Sequence, residues 1–309
     1  MLHIRVPATT ANIGSGFDTL GLALSLYNDV YFDPDTSKKG KGITVTAEGE
    51  GAETVPLDDT NMLLQAMAYV ADKNKKTLPA GKLHLINRIP LARGLGSSSA
   101  TQAAGVLLAS LLLELNLAEA EMIDLTSQLE GHPDNAVPAI RGGFCIASMQ
   151  QGSVISEKID VSDSWRAVVA IPEFELKTED ARAALPDAYS RKDAVHNVGA
   201  VSFLLAAFIY NKPSYLACGL DDRIHVPYRL RLIPGGKEVM LAAKAAGAYG
   251  ATISGAGPTM IAFCPDERAD AVGQAMVEGF HAKGILSRFM VLSIDTNGIF
   301  SEACERQLF

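Results

Sequence analysis

The segment Ile89-Pro90-Leu91-Ala92-Arg93-Gly94-Leu95-Gly96-Ser97-Ser98-Ser99-Ala100 limits what this chain can fold into more than any other. The apolar positions Leu83, Leu85 and Ile89 before it predict a strand, and the Ala/Leu-rich stretch running to Leu115 predicts a helix. A strand, a tight glycine turn and a helix in that order make a cradle for an anion. Gly94 and Gly96 tolerate positive φ and let backbone N–H groups approach a phosphate closely. The first helical turn adds unpaired donors and the positive end of the helix dipole. Ser97, Ser98 and Ser99 offer hydroxyls to phosphate oxygens or to a metal bound to them. An ordinary capped turn would need one serine rather than three. No G-K-[ST] follows, so this is not a P-loop, and the serine at position 99 breaks the G-x-G-x-x-G dinucleotide spacing.

Composition narrows the partners. Among 309 residues, 27 Lys and Arg stand against 35 Asp and Glu, a formal charge of −8. That balance argues against nucleic acid as a partner, while leaving room for a local basic pocket. Cys145, Cys218, Cys264 and Cys304 are scattered singly, as reduced core thiols are, with no spacing for zinc or a disulfide framework. No apolar leader opens the sequence, and Ala103 to Leu113 is too short to span a bilayer. A soluble cytoplasmic protein without a membrane partner is expected.

Alternation and capping signals predict strands at Leu2–Val6, Asp29–Phe32, Ile43–Ala47 and Gly142–Met149, with helices at Met62–Ala71 and Glu119–Glu130. The second half opens with the apolar strand Trp165–Ile171. Helices are expected at 178–185, 194–210, 237–246 and 267–283, and strands at 249–253, 258–264 and 288–294. Mixed elements in both halves predict an α+β chain of two modules, with the boundary at 152/153 in Gln150-Gln151-Gly152-Ser153.

Two more glycine-rich segments accompany the loop: Pro7-Ala8-Thr9-Thr10-Ala11-Asn12-Ile13-Gly14-Ser15-Gly16-Phe17-Asp18-Thr19-Leu20-Gly21, and Gly250-Ala251-Thr252-Ile253-Ser254-Gly255-Ala256-Gly257-Pro258-Thr259. In order and separation the three resemble the signature motifs of the GHMP small-molecule kinases. Glu130-Gly131-His132-Pro133-Asp134-Asn135, Lys177-Thr178-Glu179-Asp180-Ala181-Arg182 and Val226-Pro227-Tyr228-Arg229 are similar to the homoserine kinase branch of that family. The resemblance covers residues 5 to about 265. It implies a two-domain GHMP kinase fold, residues 1–152 like domain 2 of ribosomal protein S5 and residues 153–309 ferredoxin-like. It further implies ATP and Mg²⁺ as cofactors, L-homoserine as substrate, a place in threonine biosynthesis, and room for a homodimer.

By the same resemblance, Pro90 to Ala100 would hold the ATP phosphates, and Asn61 would contact the base or ribose, although an N-cap role explains Asn61 equally well. Arg182 and Arg229 would grip the substrate carboxylate, a task that suits a guanidinium fork. Asp134 and Asn135 would face the amino group, with His132, Thr178 and Gly255 beside them; His132 is equally explained as a satisfied loop histidine. Asn12 and Asp18 match residues at the hydroxyl end. Asp18 has the chemistry of a base, or simply caps a helix. Ser98 and Glu130 would hold the metal, with the stretch around Gln128 as the other alignment.

Overall fold

The computed structural model describes residues 1–35, 42–162 and 164–304. The chain begins with strands β1 (Leu2–Ala11), β2 (Leu20–Pro34) and β3 (Ile43–Gly49) and helix α1 (Met62–Lys73). Strand β4 (Gly81–Asn87) then leads to helices α2 (Ser97–Leu112), α3 (Glu119–Glu130) and α4 (Ala136–Arg141), and a hairpin of β5 (Phe144–Gln150) and β6 (Ser153–Ile159) follows. After β7 (Trp165–Pro172) come α5 (Thr178–Ala183), α6 (Arg191–Ile209), α7 (Leu216–Gly219), α8 (Val226–Arg229) and α9 (Gly236–Ala245). The described chain closes with β8 (Gly250–Ile253), β9 (Met260–Pro265), α10 (Ala269–His281), β10 (Ser287–Leu292) and β11 (Phe300–Ala303).

Seven strands form the first sheet, in the order β11-β1-β2-β4-β3, with β5 on β2 and β6 on β5; only the β3–β4 pair is parallel. The second sheet is antiparallel, β10-β7-β9-β8. The α+β expectation holds. Because β6 pairs with β5 along its whole length, the first sheet runs past the boundary expected at 152/153. β11, from the far end of the described chain, returns to the same sheet.

β1 is longer than its alternating start suggests. Residues Val6 to Ala11 are buried on both faces, so alternation fades, and a bulge at Pro7/Ala8 absorbs the missing proline donor. The strand thus delivers the first glycine-rich motif straight from the core. Helix α2 lies at the centre of the first unit, buried nearly all round, as its uniform Ala/Leu content requires. Asn61 caps α1, accepting from the N–H groups of Leu63 and Leu64. Gly21 lets the α3–α4 connection press onto β2: a β-carbon there would sit 1.8 Å from the Asp134 carbonyl oxygen.

Helix α6 is long and apolar enough to cross a membrane by length and composition. One face is nevertheless built into the core. Phe208 stacks on Phe144 (4.3 Å between centroids) and meets Trp165 (5.2 Å) and Phe263 (5.6 Å), joining both sheets. Phe208→Ala removes the ring common to these contacts and should destabilise the protein by roughly 3–5 kcal/mol, measurable as a lower denaturation midpoint in urea.

Candidate functional site

The loop after β4 enters α2 with Gly96 as N-cap, in the left-handed region at φ 70°. No side chain caps this helix, so the N–H groups of its first turn keep no side-chain acceptor. A β-carbon at Gly96 would lie 1.9 Å from Thr9 Oγ1. Three serines follow, but they do different things. Ser97 and Ser98 line a small cavity of about 90 Å³, whereas Ser99 is fully buried and its hydroxyl has no partner among the described residues. Ser98 Oγ donates to Glu130 Oε2 at 2.8 Å. Gln128, the other alignment for the metal carboxylate, faces away, held by Tyr69, Lys73 and the Gly152 carbonyl.

The three glycine-rich segments meet at this loop. Thr9 N–H donates to the Leu95 carbonyl at 3.1 Å, and Ser254 Oγ donates to the Gly94 carbonyl at 2.7 Å. Gly255 N–H donates to the Ala11 carbonyl, and Asn12 Nδ2 donates back to the Gly255 carbonyl at 2.9 Å. Asn12 Oδ1 accepts from the Asp18 N–H. Asn12 is therefore a brace between the first and third motifs as well as a lining residue.

Around the same cavity stand two arginines in different states. Arg182, one turn into α5 from Thr178, forms a two-point ion pair with Asp18 (2.9 and 3.0 Å), which raises its pKa. Asp18 caps no helix, since β2 follows it. Arg229 is 1% exposed and, among the described residues, pairs with no carboxylate. Its guanidinium donates to the carbonyls of Ala181 and Gly255 and approaches His225 Nδ1 at 3.4 Å. Burial, then the Arg182 charge, lowers its pKa, though an arginine stays protonated. Both guanidiniums lie over the Phe17 ring, at 5.9 and 5.1 Å.

His225 is completely buried, stacks on Phe17 and donates from Nε2 to the Gly14 carbonyl, leaving Nδ1 to face Arg229. Burial pushes its pKa down to about 4 against a partial pull from Asp222. Asp222 accepts from the N–H groups of His225 and Val226, fixing the start of α8 and so the direction of Arg229. Opposite, His132 Nδ1 lies 2.6 Å from Asp134 Oδ1, and its Nε2 is 3.9 Å from Glu130. Burial alone would lower the His132 pKa; the Asp134 hydrogen bond and the charges of Asp134 and Glu130 raise it instead. Asn135 Oδ1 accepts from Thr9 Oγ1 at 2.8 Å.

The fold thus brings Asn12, Asp18, His132, Asp134, Asn135, Thr178, Arg182, Arg229 and Gly255 to one cavity with Ala92, Gly94, Gly96, Ser98 and Glu130. A larger cavity of about 520 Å³ adjoins it, sharing Ala92, Gly94, Ser97 and Ser98 and reaching Leu91 and Asn61. The side chains of five other loop residues are placed differently. Leu95, Ser99 and Ala100 are 0% exposed and belong to the core. Arg93 borders the small cavity, but its guanidinium is engaged by the carbonyls of Leu91, Pro172 and Glu173 and by Glu175, so it ties the loop to the end of β7. Pro90 lines a groove behind the loop. The Asn61 side chain is taken up by its capping bonds and the Pro56 carbonyl. Sequence reasoning missed Phe17 and His225. The signals were present, because Phe17 sits inside the first motif and His225 lies one helical turn before Arg229.

Comparison with known proteins agrees with this geometry. Residues 61–143 match the family described as GHMP kinases N terminal domain, and residues 215–282 match GHMP kinases C terminal. The homoserine kinase of a Synechococcus strain is 43% identical over 298 residues, 96% of each chain. That of Persephonella marina is 38% identical over 305 residues, 99% of each. The crystal structure of homoserine kinase from Cytophaga hutchinsonii superposes with a TM-score of 0.87 at 30% identity, covering 97% of both chains.

His225 gives a pH prediction. Its folded pKa lies below the ordinary 6.5, so the unfolded chain takes up the proton first as pH falls. Its contribution to stability is therefore intact above about 6.5 and lost progressively toward about 4. In His225→Gln the fall in unfolding free energy across that window should be shallower than in the parent, as read from urea titrations at several pH values.

Proposed function

This chain belongs to the GHMP kinase family, and from that membership we propose that it transfers the γ-phosphoryl group of ATP to the side-chain hydroxyl of L-homoserine, giving O-phospho-L-homoserine. The observation that carries the acceptor is Arg229. A buried guanidinium held by carbonyl oxygens and a neutral imidazole lacks an anion, and the α-carboxylate of an amino acid supplies one. Arg182 contributes the second fork at the cavity wall. In the free protein Asp18 occupies that fork as a carboxylate would, and an incoming substrate carboxylate competes for it.

Held at its carboxylate, the substrate reaches its hydroxyl toward Gly94–Ser98, where the open first turn of α2 receives the phosphates. Asp134 and Asn135 offer oxygen acceptors to the ammonium group, and His132, its pKa raised by Asp134, keeps that carboxylate in place. In the free protein Asp18 is bound at both oxygens by Arg182 and Asp134 is engaged by His132, and the transfer needs neither as a strong base. Phosphoryl transfer through a loose transition state asks for little early proton removal. Alignment of hydroxyl and phosphate, worth on the order of 7–11 kcal/mol in favourable systems, then carries the catalysis.

Ser98 and Glu130 suit Mg²⁺: two hard oxygen donors 2.8 Å apart at the phosphate end, with the other positions left to phosphate and water. Among the described residues no cluster of three or more His, Cys, Asp or Glu stands ready to hold a metal ion. Bound there, Mg²⁺ supplies charge neutralisation at the transferring group.

ADP release assayed over homoserine, mevalonate, galactose and shikimate should be fastest with homoserine; preference for a neutral alcohol would refute the acceptor. Arg182→Leu and Arg229→Leu should each lower kcat/KM for homoserine by about ten- to a hundredfold, the scale of one charge-assisted hydrogen bond, with ATP binding retained. Glu130→Gln should shift half-maximal activity to higher Mg²⁺, read from a metal titration at saturating ATP and homoserine.

A further inference from the structure

On β4 the residues Leu83, Leu85 and Asn87 share the buried face, so alternation calls for an apolar side chain where Asn87 stands. Asn87 is 9% exposed, and among the described residues its side-chain amide makes no hydrogen bond. Leu85 and Asn87 both line the 520 Å³ cavity that runs from Ser97 and Ser98 to the apolar wall of Val55, Pro56 and Met62. Three neighbouring polar side chains are already engaged. Asn61 caps α1 and donates to the Pro56 carbonyl, Thr54 Oγ1 donates to the Gly51 carbonyl, and Thr101 Oγ1 donates to the Ser97 carbonyl. The Asn87 amide lines this cavity with no protein partner among the described residues, so a bound group can pair with it.

We propose that Asn87 reads the nucleobase of the phosphoryl donor, pairing its amide with the adenine 6-amino group and a ring nitrogen beside it. An asparagine amide offers a donor next to an acceptor, and adenine presents the complementary pair, the match by which Asn recognises adenine edges elsewhere. The apolar wall supplies contact area without selectivity; the amide supplies the selectivity. This inference rests on reading the two cavities as a kinase site with ATP as donor.

The test couples the residue to the chemical group. ATP is compared with purine riboside triphosphate, which lacks only the 6-amino group, in the parent and in Asn87→Leu, a change that continues the apolar stripe. The parent should favour ATP in kcat/KM by about three- to tenfold, the size of one neutral hydrogen bond. In Asn87→Leu that ratio should fall to near one through a higher KM for ATP, with kcat and the KM for homoserine unchanged. Asn87→Asp, which keeps the acceptor for the amino group, should retain the preference while binding ATP more weakly. A preference for ATP that survives in Asn87→Leu overturns the proposal, as does a parent indifferent to the amino group. Direct titration of both nucleotides without acceptor separates the two readings. If homoserine is not turned over, the acceptor assignment fails, while the coupling between Asn87 and the 6-amino group still stands or falls on the binding constants.

Discussion

Everything at the site depends on an uncapped helix start held from below. Gly96 adopts a left-handed conformation that places backbone where a side chain would strike Thr9, and α2 therefore begins without a capping side chain. An open turn of this kind is a liability unless its position is fixed, because unpaired donors invite the loop to rearrange. The fixing comes from backbone and hydroxyl bonds to distant segments: Thr9 on β1, Ser254 after β8, and the Arg93 guanidinium on the end of β7. The donors are thereby preorganised for an anion and need not reorganise when one arrives.

Charge around the cavity is arranged with comparable economy. Arg182 is neutralised by Asp18 and partly open to solvent, whereas Arg229 is buried and, among the described residues, forms no ion pair. A neutral His225 is what makes the second arrangement tolerable: a protonated imidazole 3.4 Å from the guanidinium would add a like charge where water cannot screen it. Phe17 offers its ring to both cations, an attraction that survives whether or not a carboxylate is present. The two forks thus differ in how strongly each calls for a ligand.

Much of this was legible in the sequence. The loop with its glycines, the N-cap at Asn61, helix α3 and the strand at Trp165 follow from local spacing, and the segments 130–135, 177–182 and 226–229, with Asp18 in the first motif, carry most charged residues of the cavity. What escaped depended on tertiary packing. Ser99 reads like its two neighbours, yet helical rotation turns it into the core. Arg93 reads as a phosphate ligand, and only the approach of β7 shows that carbonyls hold it. Helix α4 carries Pro138, which suggests a break, but proline is tolerated in a first turn. β6 and β11 are short edge strands whose pairing partners, not their own residues, define them.

The position of β11 has a temporal side. It pairs with β1 from Leu2↔Ala303 to Arg5↔Phe300, and His3 meets Glu302 across 299 positions of chain. During synthesis β1 emerges well before β11, and its outer edge waits across 299 positions of chain before β11 can cover it. Bringing such remote ends together carries a large loop-closure entropy. Until then the nascent protein displays an unpaired strand edge, the surface on which foreign chains most readily add. A chain lacking β11 keeps that edge open permanently, so its harm would appear as aggregation rather than as a damaged active site.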